Sequence, residues 1–238
     1  LFLRTALACL AIFGHAEATA QDPPPDLAGS DSWWPTIRER IDAEEYHLSW
    51  QNTPAILSIL DLGRGGAASI ATRQEGVWQA PNRAHNFRIV FSDGGPLLSR
   101  RTEAVASWVW GLEALNLPPI RKILPEGNRL EYRRGGVTEW YLNDANGLKQ
   151  GLTIDSPAAV PGAIASESGE LALDFAVVGT LEGRLAAESG SIDFFLPGGA
   201  ALIRYGQLKA FDANEIELPS RMEFAPSPPT IRWIVQTA

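Results

Sequence analysis

The chain has one cysteine, Cys9, close to its N-terminus, so nothing beyond that point can be held by disulfides. At 238 residues it is long enough to bury a large core without them. Histidine is nearly as scarce, three in all, and only His47 and His85 lie past the first twenty positions. Two scattered histidines without cysteine give a zinc site too few ligands, so no metal site is expected. Gly-Lys never occurs, which excludes a Walker loop, and there is no Gly-x-Ser-x-Gly elbow. No cofactor is implied. No apolar run reaches the roughly 20 residues that cross a bilayer as a helix. Basic runs are absent as well. Lys+Arg total 20 against 28 Asp+Glu, a net charge of −8, which argues against nucleic acid and anionic membrane surfaces as partners.

What is present is turn chemistry at strand spacing. Gly135-Gly136 and Asn146-Gly147 each supply the positive φ angles of two-residue hairpin turns. Around them Leu130–Arg134, Val137–Asn143 and Leu148–Ile154 are rich in aromatic and aliphatic residues, predicting a three-stranded meander. Period-two alternation recurs at Phe87, Ile89 and Phe91, and again at Trp108, Trp110 and Leu112. Further strands are expected at Leu171–Gly179, Leu181–Glu188, Ile192–Leu196, Ala200–Arg204, Gln207–Asp212, Ile216–Phe224 and Thr230–Thr237. The fold class that follows is all-β, an antiparallel β-sandwich with one short N-terminal helix.

Organisation can be read in order. Arg4, the short apolar Thr5–Gly14 and the small Ala18-Thr19-Ala20 read as an export signal over residues 1–20, cut between Ala20 and Gln21. The location expected is therefore outside the cytoplasm: secreted, periplasmic or on the cell surface. Residues 21–30 form a proline-rich linker, and 31–238 the β module. A helix is expected from Ser32 to Glu45, capped by Asp31 or Ser32, and laid on one flank of a sheet. Ser156–Ser168 reads as a crossover between sheets. The stop at Ala238 within strand-like sequence reads as a C-terminal truncation.

The meander also allows a test for chemistry. With Gly135-Gly136 as the loop, Tyr132 faces Glu139 and Glu131 faces Trp140, so the two glutamates project from opposite faces. A glycosidase pair must flank one bond from the same side, so this pair fails. Leu130, Tyr132, Val137, Tyr141, Leu152 and Ile154 fall on one face, the expected core; Trp140 and Leu142 lie on the other with Arg129, Glu131 and Arg133. His47 points away from Tyr46 and Leu48 and reads as structural, as does His85. Asp144-Ala-Asn-Gly147 begins like a calcium loop but lacks the later acidic ligands, and a hairpin turn accounts for it. No catalytic residues are assigned. Trp108 and Trp110 share a strand face and are either a ligand platform for sugar stacking or core, with core the default.

Four stretches carry a resemblance. Glu45–Trp50, Gln79–Arg88, Asn128–Gly151 and Asp193–Gly206 are similar, in the same order, to the N-terminal region of large secreted bacterial proteins bearing FG-GAP (integrin-alpha-like) or related β-propeller repeats. The similarity spans most of residues 32–238. It implies a β-rich module between an export signal and downstream propeller repeats of the same polypeptide; this chain itself has no such repeat and none of their Asp-rich calcium loops. The function expected is a non-catalytic structural or adhesion module with an extracellular ligand, polysaccharide or protein. The alternatives are a carbohydrate-binding module using exposed tryptophans and a glycoside hydrolase-like enzyme.

Overall fold

The alternating segments pair into two antiparallel sheets in the computed structural model of the chain, which describes residues 5–14, 45–63, 76–160, 164–165, 169–186 and 190–237. The linker, the Ala20–Gln21 cleavage site and the helix expected before Glu45 lie outside the described residues. The first elements are β1 (Thr5–Gly14), β2 (Ser49–Gln51), helix α1 (Pro54–Gly63), β3 (Val77–Asn82), β4 (Phe87–Ser92), β5 (Gly95–Arg100) and β6 (Trp110–Ala114). The meander follows as β7 (Lys122–Glu126), β8 (Arg129–Arg133), β9 (Val137–Asp144) and β10 (Gly147–Ile154). After a 3-10 turn at Pro157–Ala159 come β11 (Ile164–Ala165), β12 (Glu170–Gly179), β13 (Glu182–Leu185), β14 (Ile192–Phe195), β15 (Ala201–Gly206) and β16 (Lys209–Phe211). The short β17 (Glu217–Leu218) precedes a last hairpin, β18 (Ser220–Pro226) and β19 (Pro229–Gln236).

One sheet runs β13-β14-β15-β1-β10-β9-β8-β7, with β16 beside β1 and β17 beside β16. The other runs β18-β19-β12-β6-β5-β4-β3-β2, with β11 beside β12. The segment after β10 leads from the first sheet to the second, as the crossover reading of Ser156–Ser168 requires. The meander register is also the expected one: Glu131 pairs with Trp140 and Tyr132 with Glu139. Gly135 and Gly136 have φ of +69° and +83°, the two left-handed positions that a type I′ turn needs. At the second turn the loop is Ala145-Asn146, because Asp144 already pairs with Gly147. That differs from a loop at 146–147 by two residues in register, which leaves the faces unchanged.

The core lies between the sheets. Leu130, Tyr132, Leu152 and Ile154 are fully buried, and Val137 and Tyr141 almost so. Phe91 of the second sheet meets Tyr132 and Tyr141 of the first at ring distances of 6.5 and 5.7 Å. Phe175 and Trp233 extend the same core within the second sheet, 4.7 Å apart. Each such ring contributes roughly 1.5–3 kcal/mol by leaving water.

A helix that the periodicity reading did not place covers the outer face of the second sheet. Thr53 caps α1: its carbonyl accepts the Leu57 N–H and its hydroxyl the Ile56 N–H, with Pro54 in the first turn. Ile56, Ile59 and Leu60 pack on Val77, Val90, Leu97 and Val109. A Cβ at Gly63 would stand 2.7 Å from the Leu97 side chain, so glycine lets the helix end close on the sheet. Among the described residues no helix is long and apolar enough to cross a membrane.

Candidate functional site

Trp108 and Trp110 are 4% and 0% exposed, which removes the platform reading. Trp110, the first residue of β6, turns toward the other sheet, its ring 5.2 Å from Phe194 and 5.7 Å from Tyr205, while Trp108 lies ahead of the strand in the same core cluster. Of the other indoles, Trp50 is half-exposed but stands edge-on to Trp78, at 69°, so the two offer no coplanar stacking surface. Trp140 lies on the outer face of β9 with the Arg129 guanidinium 4.6 Å above it. It covers Gly151 directly, where a Cβ would be 2.1 Å from the indole.

The two candidate glutamates separate as strand parity requires. Glu131 sits on the outer face between Arg129 and Arg133, at 3.0 and 2.6 Å. Glu139 is buried in the core. His47 is exposed, and His85 stacks on Phe87 with Nε2 3.1 Å from the Ala145 carbonyl. Asp144 accepts the Asn146 N–H and pairs with Lys149, which makes it a hairpin residue. Among the described residues no three His, Cys, Asp or Glu side chains are grouped as a metal site would be.

What spacing did not reveal is a polar chain along the inner face of the first sheet. Arg134 donates from Nε (2.9 Å) and Nη2 (2.8 Å) to Glu139 Oε2, and from Nη1 to the Pro118 carbonyl. Glu139 Oε1 accepts the Tyr141 hydroxyl at 2.5 Å and Gln150 Nε2 at 3.1 Å. The Tyr205 hydroxyl then donates to Gln150 Oε1 at 3.0 Å. A carboxylate offers about four acceptor positions, and Glu139 has all of them filled. The signal for this chain was present, since Glu139 and Gln150 share core-face parity with Val137, Tyr141, Leu148 and Leu152. At the opposite end of the sheets, Asn82 Nδ2 donates to Asn143 Oδ1 and the Asp144 carbonyl, both at 2.8 Å. Asn143 Nδ2 in turn reaches the Pro81 and Tyr46 carbonyls.

The Arg134 end opens into a cleft of about 570 Å³, lined by Asp93, Glu113, Arg121, Lys122 and Arg134 around Leu117, Ile120 and Ile123. Asp93 comes from the β4–β5 turn. Glu113 lies beside that turn, since a Cβ at Gly95 would be 2.2 Å from the Leu112 carbonyl and 3.9 Å from the Glu113 Cα. No spacing rule links residues 93 and 113; the β5–β6 pairing does. Asp93 and Glu113 both line this cleft, together with the cations Arg121, Lys122 and Arg134.

Burial holds the hydroxyls of Tyr132, Tyr141 and Tyr205 well above the usual tyrosine range, and the Glu139 charge adds to this. The folded state therefore keeps these phenols neutral while the unfolded chain ionises near pH 10. Their contribution is fully present below about pH 10 and is lost as pH rises beyond it, toward the folded-state values. Urea midpoints should be level at pH 8–9 and fall above about pH 10, with a shallower fall in Tyr205→Phe. An unchanged slope in that variant would remove Tyr205 from the effect.

No family model, curated protein or solved structure matches this chain.

Proposed function

We propose that the chain is a non-catalytic β-sandwich module, serving structure or adhesion in a larger exported protein. One observation carries the reading: the buried and paired polar residues of the resembling stretches are spent on bonds within the first sheet and, at Asn82 and Asn143, between the two sheets. Asn82, Asn143 and the Tyr46 carbonyl, from three of the four stretches, meet in one cluster. Glu139, the acidic residue most deeply buried there, is saturated by Arg134, Tyr141 and Gln150. In the fourth stretch Asp193 takes both arms of Arg204, at 2.7 and 2.9 Å. Groups committed in this way stabilise a scaffold and have no free lone pair or proton for turnover. The resemblance to the region ahead of FG-GAP repeats supplies the context, an exported chain with propeller repeats downstream and an extracellular polysaccharide or protein ligand.

A second reading rests on a different observation, the shared cleft of Asp93 and Glu113. Paired carboxylates on one cavity are the minimum that glycoside hydrolysis needs. The purified chain should show no turnover on glycoside, ester or peptide substrates, with or without calcium or zinc. Turnover that Glu113→Gln or Asp93→Asn abolishes would replace the module reading with the hydrolase.

A further inference from the structure

β1 is the segment that reads as the core of an export signal, and it is also an interior strand of the first sheet. Its ten residues, Thr5–Gly14, carry no charge. On one side they run antiparallel to β10, from Thr5 opposite Ile154 to Ile12 opposite Leu148. On the other side Ala6–Ala8 pair with β16 and Ala11–Gly14 with β15. The register slips by one residue between Leu7 and Leu10, where Leu7 pairs with Leu152 and Leu10 with Gln150. That bulge keeps Leu7, Leu10 and Ile12 opposite the core-facing Leu152, Gln150 and Leu148 of β10.

β10 and β15 do not pair with each other; each reaches the sheet's other half through β1. Strands on either side of an intervening one stand roughly 10 Å apart, two strand spacings. Yet Tyr205 of β15 and Gln150 of β10 are joined by the 3.0 Å hydrogen bond described above, both fully buried. The bond crosses the β1 position on its core side and ties the two flanking edges together. The polar chain from Arg134 through Glu139 and Gln150 thus ends by fixing the width of a groove. Without a strand in it, the groove would leave two rows of backbone donors and acceptors open and uncover Leu148, Leu152 and Ala210. Removal of residues 1–20 would produce that state.

We propose that the β1 position is a strand-acceptor groove. It binds an uncharged, extended, aliphatic segment of about ten residues antiparallel to β10, by completing the sheet. Thr5–Gly14 fills it in cis, and in a chain cut before Gln21 a segment of the same character donated by another polypeptide takes its place. Backbone bonds on both sides supply the affinity, and the apolar floor selects against charge.

The test uses the full chain with a protease site inserted between Ala28 and Gly29 and cut only after folding. The N-terminal fragment should stay with the body through size-exclusion chromatography. A labelled Thr5–Gly14 peptide in excess should then exchange into the groove. In a strand bonded on both sides every N–H is used, so the peptide with Ala11→Pro should bind at least about tenfold more weakly. Tyr205→Phe, which keeps every backbone partner but removes the cross-groove bond, should speed exchange severalfold. Two outcomes overturn the proposal. One is a fragment that leaves on cutting while the body keeps its far-UV spectrum and melting temperature. The other is equal binding of the native and Ala11→Pro peptides.

Discussion

Glu139→Ala should destabilise the chain by about 3–5 kcal/mol, the usual cost of leaving one partner of a buried ion pair alone. The substitution strands three groups at once. Arg134, only 5% exposed, would keep its charge with a single backbone acceptor, the Pro118 carbonyl. The Tyr141 hydroxyl would lose its acceptor, and Gln150 one of its two. Removing both charges in Arg134→Met/Glu139→Leu should cost clearly less than the two single changes added together, because apolar groups of similar volume need no counter-charge. Urea unfolding of the four proteins at pH 7 gives the cycle directly. Strict additivity would mean that Arg134 and Glu139 do not act as a pair, and the groove floor would then lack its anchor. For a domain whose total stability is of the order of 5–15 kcal/mol, the single change is severe.

The meander could be read before the structure because its information is local. Gly135-Gly136 fixes the turn, the turn fixes Tyr132 opposite Glu139, and strand parity then decides which side chains meet. The same logic separated Glu131 from Glu139 and put Trp140 on the outer face beneath Arg129. It could not decide between platform and core for Trp108 and Trp110, because parity assigns a face without saying what covers it; over Trp110 the covering rings are Phe194 and Tyr205. The helix at Pro54–Gly63 was missed because Ala55, Ile56, Leu57, Ile59, Leu60 and Leu62 make a short, nearly continuous apolar run, which periodicity alone does not separate from a buried strand. Its true markers are the Thr53-Pro54 cap and the fit of Gly63 against Leu97. The cleft was hidden for another reason: the β5–β6 pairing brings Asp93 beside Glu113, and only the stacking of the sheets adds Arg134 to them. β1 shows the limit most clearly. An uncharged apolar stretch suits an export signal and a buried strand equally, and the pairing partners that distinguish them lie more than a hundred residues away.

Tyr141→Ala should cost about 3–5 kcal/mol, as deletions of large buried aromatics do. The ring is 1% exposed and sits where the two sheets touch, 5.7 Å from Phe91 across the interface and 5.9 Å from Tyr132 on its own sheet. Its hydroxyl has a separate task, donating to Glu139 and accepting from Gln150. Tyr141→Phe isolates that task, since it keeps the ring and should cost about 1–3 kcal/mol for the unmet partners. The difference between the two variants then measures the ring alone. If Phe proves as damaging as Ala, the hydroxyl and its link to Glu139 dominate, and the packing of Phe91 on Tyr141 contributes little to joining the sheets. If Phe is harmless, the polar chain tolerates a gap at its centre. In that case Gln150 alone would hold Glu139 Oε1 and still present its own oxygen to Tyr205, and the groove would keep its width without Tyr141. Equilibrium unfolding of the three proteins under one set of conditions separates these outcomes, because the expected gap between Ala and Phe is larger than the error of the measurement.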